Sequence, residues 1–240
     1  FIGMAGFVSE AMYLERIQRW LEAGAPESLK RFLGKAVGDR RKMFNSISAR
    51  DGLIMEILND LVMWLAQLSL KSCSEVMAKE IGLMRKVCAD HPLDPAALAV
   101  PMMHHIYLRR GEALFVPERE VHAYVQGFGL EIMLPSDNVV RAGLTSKNVN
   151  PDSFVELANF EPSSKPQVFS GANVPEGKFY QSPGADLAGL NLVTPGHEVL
   201  LDGSALCLME RGSVEVFDGT GRTIIGEGSV GFLEPGATLL

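Results

Sequence analysis

The residues richest in chemistry lie between Gly111 and Lys147, in the run GEALFVPEREVHAYVQGFGLEIMLPSDNVVRAGLTSK. His122 follows a proline turn at Pro117 and opens a short strand-like stretch, so its imidazole could be presented to a metal ion such as zinc. Tyr124 stands two residues on and shares a strand face with His122, which would set a phenol beside whatever the metal binds. Asp137, Arg141 and Lys147 then supply one anion and two cations in a connection containing Gly143, where the backbone can turn closely around a ligand. A guanidinium offers oxyanions a planar fork and an ammonium offers a mobile point charge, a pair suited to a phosphorylated sugar.

Each of these residues also has a plainer reading. A single His near a strand is more often structural or exposed than a ligand. Asp137 and Arg141 fit a loop ion pair, the better reading on spacing alone. Tyr124 fits a core position with a satisfied hydroxyl, and Glu131 falls on a strand face near His122, either supporting it or facing solvent. His104 and His105 are adjacent, so on a strand they face opposite sides and cannot share one metal. His91, in a turn, and His197, after Thr194-Pro195-Gly196, read as surface residues. Met55, Met63 and Trp64 read as packing.

Two kinds of element must position these groups. From Ser9 to about Pro92 the hydrophobic period is helical, with one stripe at Leu14, Ile17 and Leu21 and a wider one from Leu53 to Leu68. Ser9 precedes the first helix, Pro26-Glu27-Ser28 starts a second, Asp51 caps a third, and Ser72 or Ser74 a fourth. Asp90-His91-Pro92-Leu93-Asp94-Pro95 stops the helices. Beyond Pro101 come short β-branched and aromatic runs broken by Gly, Pro, Asn and Asp, as in a sandwich or barrel. Strands are expected around Tyr107, at 113–116, 122–125 and 130–133, with a capped helical turn at 151–157. Asp218-Gly219 and Thr220-Gly221 make a hairpin turn between 214–217 and 223–225. The segment from Gly111 to Pro117 echoes that from Gly228 to Pro235: glycine turn, buried strand, proline turn, a half-motif of the cupin jelly roll. The first copy continues to a His and the second to Leu240, so one copy can offer a ligand and the other cannot.

Composition bounds the rest. The chain has 240 residues with 47% hydrophobic, enough for a sizeable core. Its net charge of −7 and lack of any long Lys/Arg run argue against nucleic acid as a partner. Cys73, Cys88 and Cys207 are far apart and never in a C-x-x-C arrangement, which fits a reducing cytoplasm. The opening Phe1 to Phe7 is apolar but too short for a membrane span, and it lacks the basic region of a signal peptide.

The segments H-A-Y-V-Q-G (122–127) and S-D-N-V-V-R-A-G-L-T-S-K (136–147) resemble the H-A-Y-x-x-G and S-D-N-x-x-R-A-G-x-T-x-K patterns of type I mannose-6-phosphate isomerases. Ser146 and Pro135 depart from the family's usual Pro and Ala without touching a charged group. The resemblance implies two cupin-type jelly-roll barrels with an α-helical insertion, a mostly β protein. It divides as 1–100 helical insertion, 101–160 part of the zinc-binding cupin, and 161–240 a C-terminal cupin without metal. It implies interconversion of mannose 6-phosphate and fructose 6-phosphate through a cis-enediol, with one Zn2+ held by a Gln, two His and a Glu. His122 is the last of these ligands. The Q-x-H and H-K-P-E motifs that carry the others occur nowhere in the chain and are expected upstream of Phe1, so this stretch alone is expected to be inactive. Arg141 takes a catalytic role in that picture, and Tyr124, Asp137 and Lys147 bind substrate. The alternative is a non-catalytic or degenerate sugar-phosphate-binding cupin, if the chain is naturally this short. The expected partner is a small sugar phosphate, with no membrane and no nucleic acid, in the cytoplasm; the oligomeric state is left open by the sequence, a monomer being slightly favoured.

Overall fold

A computed structural model of the chain describes all residues except 36–37, 134–135, 137 and 182–189. It divides into two compact units, Phe1–Val168 and Phe169–Leu240. The content is mixed helix and strand, and the sheets formed among the described residues are open, of two to four strands.

The first unit begins with β1 (Ile2–Phe7), whose apolar residues become the middle strand of a three-stranded antiparallel sheet. Its neighbours are β2 (Met103–Tyr107) and β4 (His122–Gln126), with Met4 opposite His105 on one side and Ala5 opposite His122 on the other. The short β3 (Glu112–Leu114) lies between them in sequence. Helices α1 (Glu10–Glu22), α2 (Glu27–Lys35), α3 (Arg40–Ala49), α4 (Gly52–Gln67) and α5 (Glu75–Asp90) follow β1, and α6 (Pro151–Leu157) follows the site segment. Ser9, Asp51 and Ser74 cap α1, α4 and α5, each accepting the N–H three residues on.

In the first unit, sequence expectation and structure part at three places. A further helix, α3, is capped by Asp39, so Asp51 opens the fourth helix rather than the third. In α1 the buried face is Tyr13, Arg16, Ile17 and Trp20, and Leu14 is exposed. The stripe is turned because Arg16 is buried with an ion-pair partner, Glu80, at 2.8 Å. Leu130 to Met133 form no strand; their large side chains are solvent-exposed and no neighbouring strand takes up their backbone groups.

The first core runs from Met4, Phe7 and Val8 through the buried faces of α1, α3, α4 and α5 to a 3-10 segment, Pro95–Met102. Phe7, Phe44, Phe154 and Phe160 pack ring against ring, with centroids 5.1–6.2 Å apart, and fasten α3 and α6 to the end of β1.

The second unit is described as strands: β5 (Val168–Ser170) at its start, β6 (Ala172–Val174), β7 (Gly177–Tyr180), β8 (Leu190–Val193), β9 (Val199–Leu200), β10 (Ala205–Leu208), β11 (Ser213–Phe217), β12 (Arg222–Gly226), β13 (Val230–Leu233) and β14 (Thr238–Leu239). β12, β11, β14 and β9 form one sheet in that order, and β10 pairs with β13. The hairpin foreseen at 218–221 joins β11 and β12, with Asp218 Oδ1 accepting from Thr220 N and Gly221 N. The echo of the 111–117 segment is a strand as expected. It is less buried than expected, with Val230 and Phe232 exposed and Leu233 packed inward.

Candidate functional site

β4 is an edge strand of the first sheet, and alternation divides its residues. Ala123 and Val125 pack against the core, and His122, Tyr124 and Gln126 are exposed on the other face. Gly127 ends the strand with φ +124°, and Phe1 lies so close that a Cβ there would meet its Cα at 2.7 Å, which accounts for the glycine of the H-A-Y-x-x-G run.

His122 Nδ1 lies 2.9 Å from the backbone oxygen of Glu120. A carbonyl only accepts, so Nδ1 carries the hydrogen in this contact, and Nε2 is the nitrogen that the neutral ring would offer to a metal. Glu120 is itself held: its Oε1 accepts from Ser163 Oγ at 2.7 Å, and its backbone bridges to Asn159. Gly6, at φ +69°, leaves the space that the Glu120 carboxylate occupies. Tyr124 lies beside His122, ring centroids 5.7 Å apart, and its hydroxyl donates to Glu131 Oε1 at 2.7 Å. Partial burial, then the Glu131 carboxylate, hold the phenol above its ordinary pKa, so it stays a proton donor at neutral pH. Of the two readings open for Glu131, support of this cluster is what the hydrogen bond favours.

The two cations sit on the loop between β4 and α6. Arg141 is half-buried and its carbonyl accepts from Asn150 N at 2.8 Å, while Asn150 Oδ1 caps α6. Lys147 is exposed, with its N–H on Thr145 Oγ1 at 3.1 Å. Neither side chain has an ion-pair partner among the described residues. The loop between them is pinned where Leu144 N donates to Asp94 Oδ2 at 2.7 Å. Asp137 lies outside the described residues. The site residues therefore form two groups, His122 with Tyr124 and Glu131, and Arg141 with Lys147, and no side-chain contact joins the groups among the described residues.

Glu120 and Asp94 escaped the sequence reading because their carboxylates meet partners in distant segments, the Ser163 hydroxyl and the Leu144 N–H. Asp94-Pro95 is a helix-start signal and could have been read as one. The remaining histidines do not add ligands: His104 Nε2 meets Ser163 O at 2.9 Å and His105 Nε2 meets Val100 O at 3.1 Å, both buried. Cys73, Cys88 and Cys207 are free thiols.

As a zinc centre the set does not close. His122 has the geometry of one ligand, but among the described residues no three His, Cys, Asp or Glu side chains converge to hold a metal. Also among the described residues, no helix is long and apolar enough to cross a membrane.

Against models of protein families the chain matches none. Among curated proteins it is 32% identical over 166 residues to a mannose-6-phosphate isomerase of Cryptococcus neoformans, covering 65% of this chain and 38% of that protein. It is 32% identical over 152 residues to the mannose-6-phosphate isomerase of Homo sapiens, covering 60% of this chain and 36% of that one. The chain thus spans little more than a third of the length of these relatives. Its fold matches phosphomannose isomerase from Salmonella typhimurium over the whole chain, with a TM-score of 0.74 at 23% identity, covering 60% of that structure. A further structure of that enzyme, bound to fructose 6-phosphate and zinc, matches with a TM-score of 0.71 at 22% identity. In sequence and in fold alike, the relatives of this chain are mannose-6-phosphate isomerases.

Proposed function

We propose that this chain works as part of a zinc-dependent aldose-ketose isomerase that interconverts mannose 6-phosphate and fructose 6-phosphate in the cytoplasm, by proton transfer between C1 and C2 through a cis-enediol. The observation that carries the reading is the presence, in the stretch that resembles the isomerases, of His122 with Nδ1 committed and of two cations, Arg141 and Lys147, without ion-pair partners among the described residues. His122 would be one zinc ligand, and the others would have to come from outside these residues. Arg141 would stabilise negative charge developing on the substrate or bind an anionic group, and Lys147 would meet the phosphate. Tyr124, with its proton retained, and Asp137 would orient sugar hydroxyls. The barrel reading belongs to the same proposal: the three-stranded sheet of the first unit and the sheets of the second would be parts of two cupin barrels, with 1–100 as the helical insertion, 101–160 in the metal-bearing cupin and 161–240 in the other.

Zinc content and turnover of mannose 6-phosphate, measured on the intact gene product, test the proposal. His122→Ala should lose zinc and turnover together. Arg141→Ala should keep zinc and lose turnover by about 100-fold or more, as for the removal of one transition-state charge partner. An intact wild type with neither metal nor turnover would sink the isomerase reading. One observation, that no three His, Cys, Asp or Glu side chains converge among the described residues, favours a second reading in that case: a cupin that binds a sugar phosphate without acting on it.

A further inference from the structure

We infer that Asp94 is a positioning residue for the candidate sugar-phosphate site: it holds the loop that carries Arg141 and Lys147 in its presenting shape, an assignment that rests on the function proposed above. Asp94 follows α5 and its carboxylate is largely buried, with 13% of the side chain exposed. It serves three elements at once. Oδ1 accepts from Ala96 N at 3.0 Å, which caps the 3-10 segment Pro95–Met102, and receives the Arg50 guanidinium at 3.3 Å from the end of α3. Oδ2 accepts from Leu144 N at 2.7 Å. Leu144 lies between Arg141 and Lys147, and it is held at φ +53°, a left-handed conformation that Leu adopts only under an outside constraint. Beside it Gly143 is pressed onto the same seat: a Cβ there would meet Ala96 Cβ at 2.6 Å and Asp94 Oδ1 at 2.8 Å. The glycine of the R-A-G-x-T-x-K run is therefore needed for contact with Asp94, and the two cations flank the point of contact at a distance of three residues on either side of Leu144. Ordering a loop of this length costs conformational entropy that contacts with the body of the unit must offset, and among the described residues the Asp94 carboxylate supplies such a contact midway between the two cations.

Amide hydrogen exchange and fructose 6-phosphate binding, both measured on the intact gene product, decide the matter. Asp94→Ala should speed exchange at Leu144 by about tenfold or more, the equilibrium worth of a hydrogen bond to a charged acceptor. It should also weaken fructose 6-phosphate binding by roughly three- to tenfold, the size of effect that ordering a side chain or two has on affinity. Exchange at Ala123 and Val125 in β4 should not change. Gly143→Ala pushes the loop off its seat on Asp94 and Ala96 while keeping the Asp94 carboxylate in the chain, and should reproduce both effects if Asp94→Ala fails to fold. Asp94→Asn, which keeps an acceptor but loses the charge, should fall between. Unchanged exchange at Leu144 overturns the anchor, and faster exchange with unchanged binding reduces Asp94 to a structural residue and overturns the positioning role. An intact wild type that binds no fructose 6-phosphate, with a loop that still loosens in Asp94→Ala, counts for the anchor and against the proposed function.

Discussion

His105 sits opposite Met4 in the central sheet, and its Nε2–H is committed to the carbonyl of Val100. Burial, with the Arg16 guanidinium behind it, pushes the imidazole from its ordinary range down to about 3. In the unfolded chain the same ring takes up a proton below about pH 6.5. The unfolded state therefore binds more protons between these limits, so stability is complete above about pH 6.5 and falls as the pH drops towards about 3, by up to about 1.4 kcal/mol per pH unit. Urea midpoints at pH 7 and pH 4.5 should show a steeper loss for wild type than for His105→Gln, and equal losses would rule the buried imidazole out as the cause. Sequence alone excluded His104 and His105 as a shared metal site, because adjacency on a strand is a geometric fact. It could not show which carbonyls they meet: Ser163 is 59 residues from His104, and Val100, though five residues from His105, is reached through a 3-10 segment that the sequence reading did not foresee. Distance along the chain also hid Glu120 and Asp94, whose carboxylates meet Ser163 and Leu144 more than forty residues away.

At the scale of elements, the buried group Arg16, Arg19, Trp20 and Glu80 joins α1 to α5. Glu80 accepts from Arg16 Nε and Arg19 at 2.8 Å each and from the Trp20 indole at 3.4 Å, and Arg16 also donates to Pro101 O and Met103 O at the entry to β2. Glu80→Ala leaves the Arg16 charge buried without its carboxylate and should cost about 3–5 kcal/mol in chemical denaturation. A loss under about 1 kcal/mol would mean that the backbone carbonyls alone suffice for Arg16. This pair also explains why the stripe of α1 was legible only in part: a periodicity of apolar residues cannot register a buried arginine. α3 was overlooked for a related reason, its short stripe of Met43, Phe44 and Ile47 following the basic Arg40-Arg41-Lys42. Caps were legible because Ser9, Asp51 and Ser74 act within three residues of themselves. The strand expected at 130–133 had the right residue types, but a strand is a property of two segments and only one can be read at a time.

For the molecule as a whole, two cores of unequal size predict two transitions. The core of the first unit runs through most of its helices, whereas that of the second, among the described residues, is centred on Val216, Ile225, Leu233 and Ala237. Trp20 and Trp64, the two tryptophans of the chain, both lie in the first unit, 5.5 Å apart. On heating, far-ultraviolet circular dichroism should record an early loss of strand signal that tryptophan fluorescence does not follow, and a later one that it does. A single coincident transition would show that the units melt together. The division into helical and strand-rich parts was visible in the hydrophobic period, while the union of residues 2–7 with β2 and β4 was not, because those strands are about a hundred residues away. The alternation along β4 carries one last consequence. Ala123 and Val125 answer to the core, whereas His122, Tyr124 and Gln126 answer to whatever arrives from solvent. Neighbouring positions of one strand are thus under separate selection, and a descendant of this protein could exchange the chemistry of its outer face, residue by residue, without renegotiating its fold.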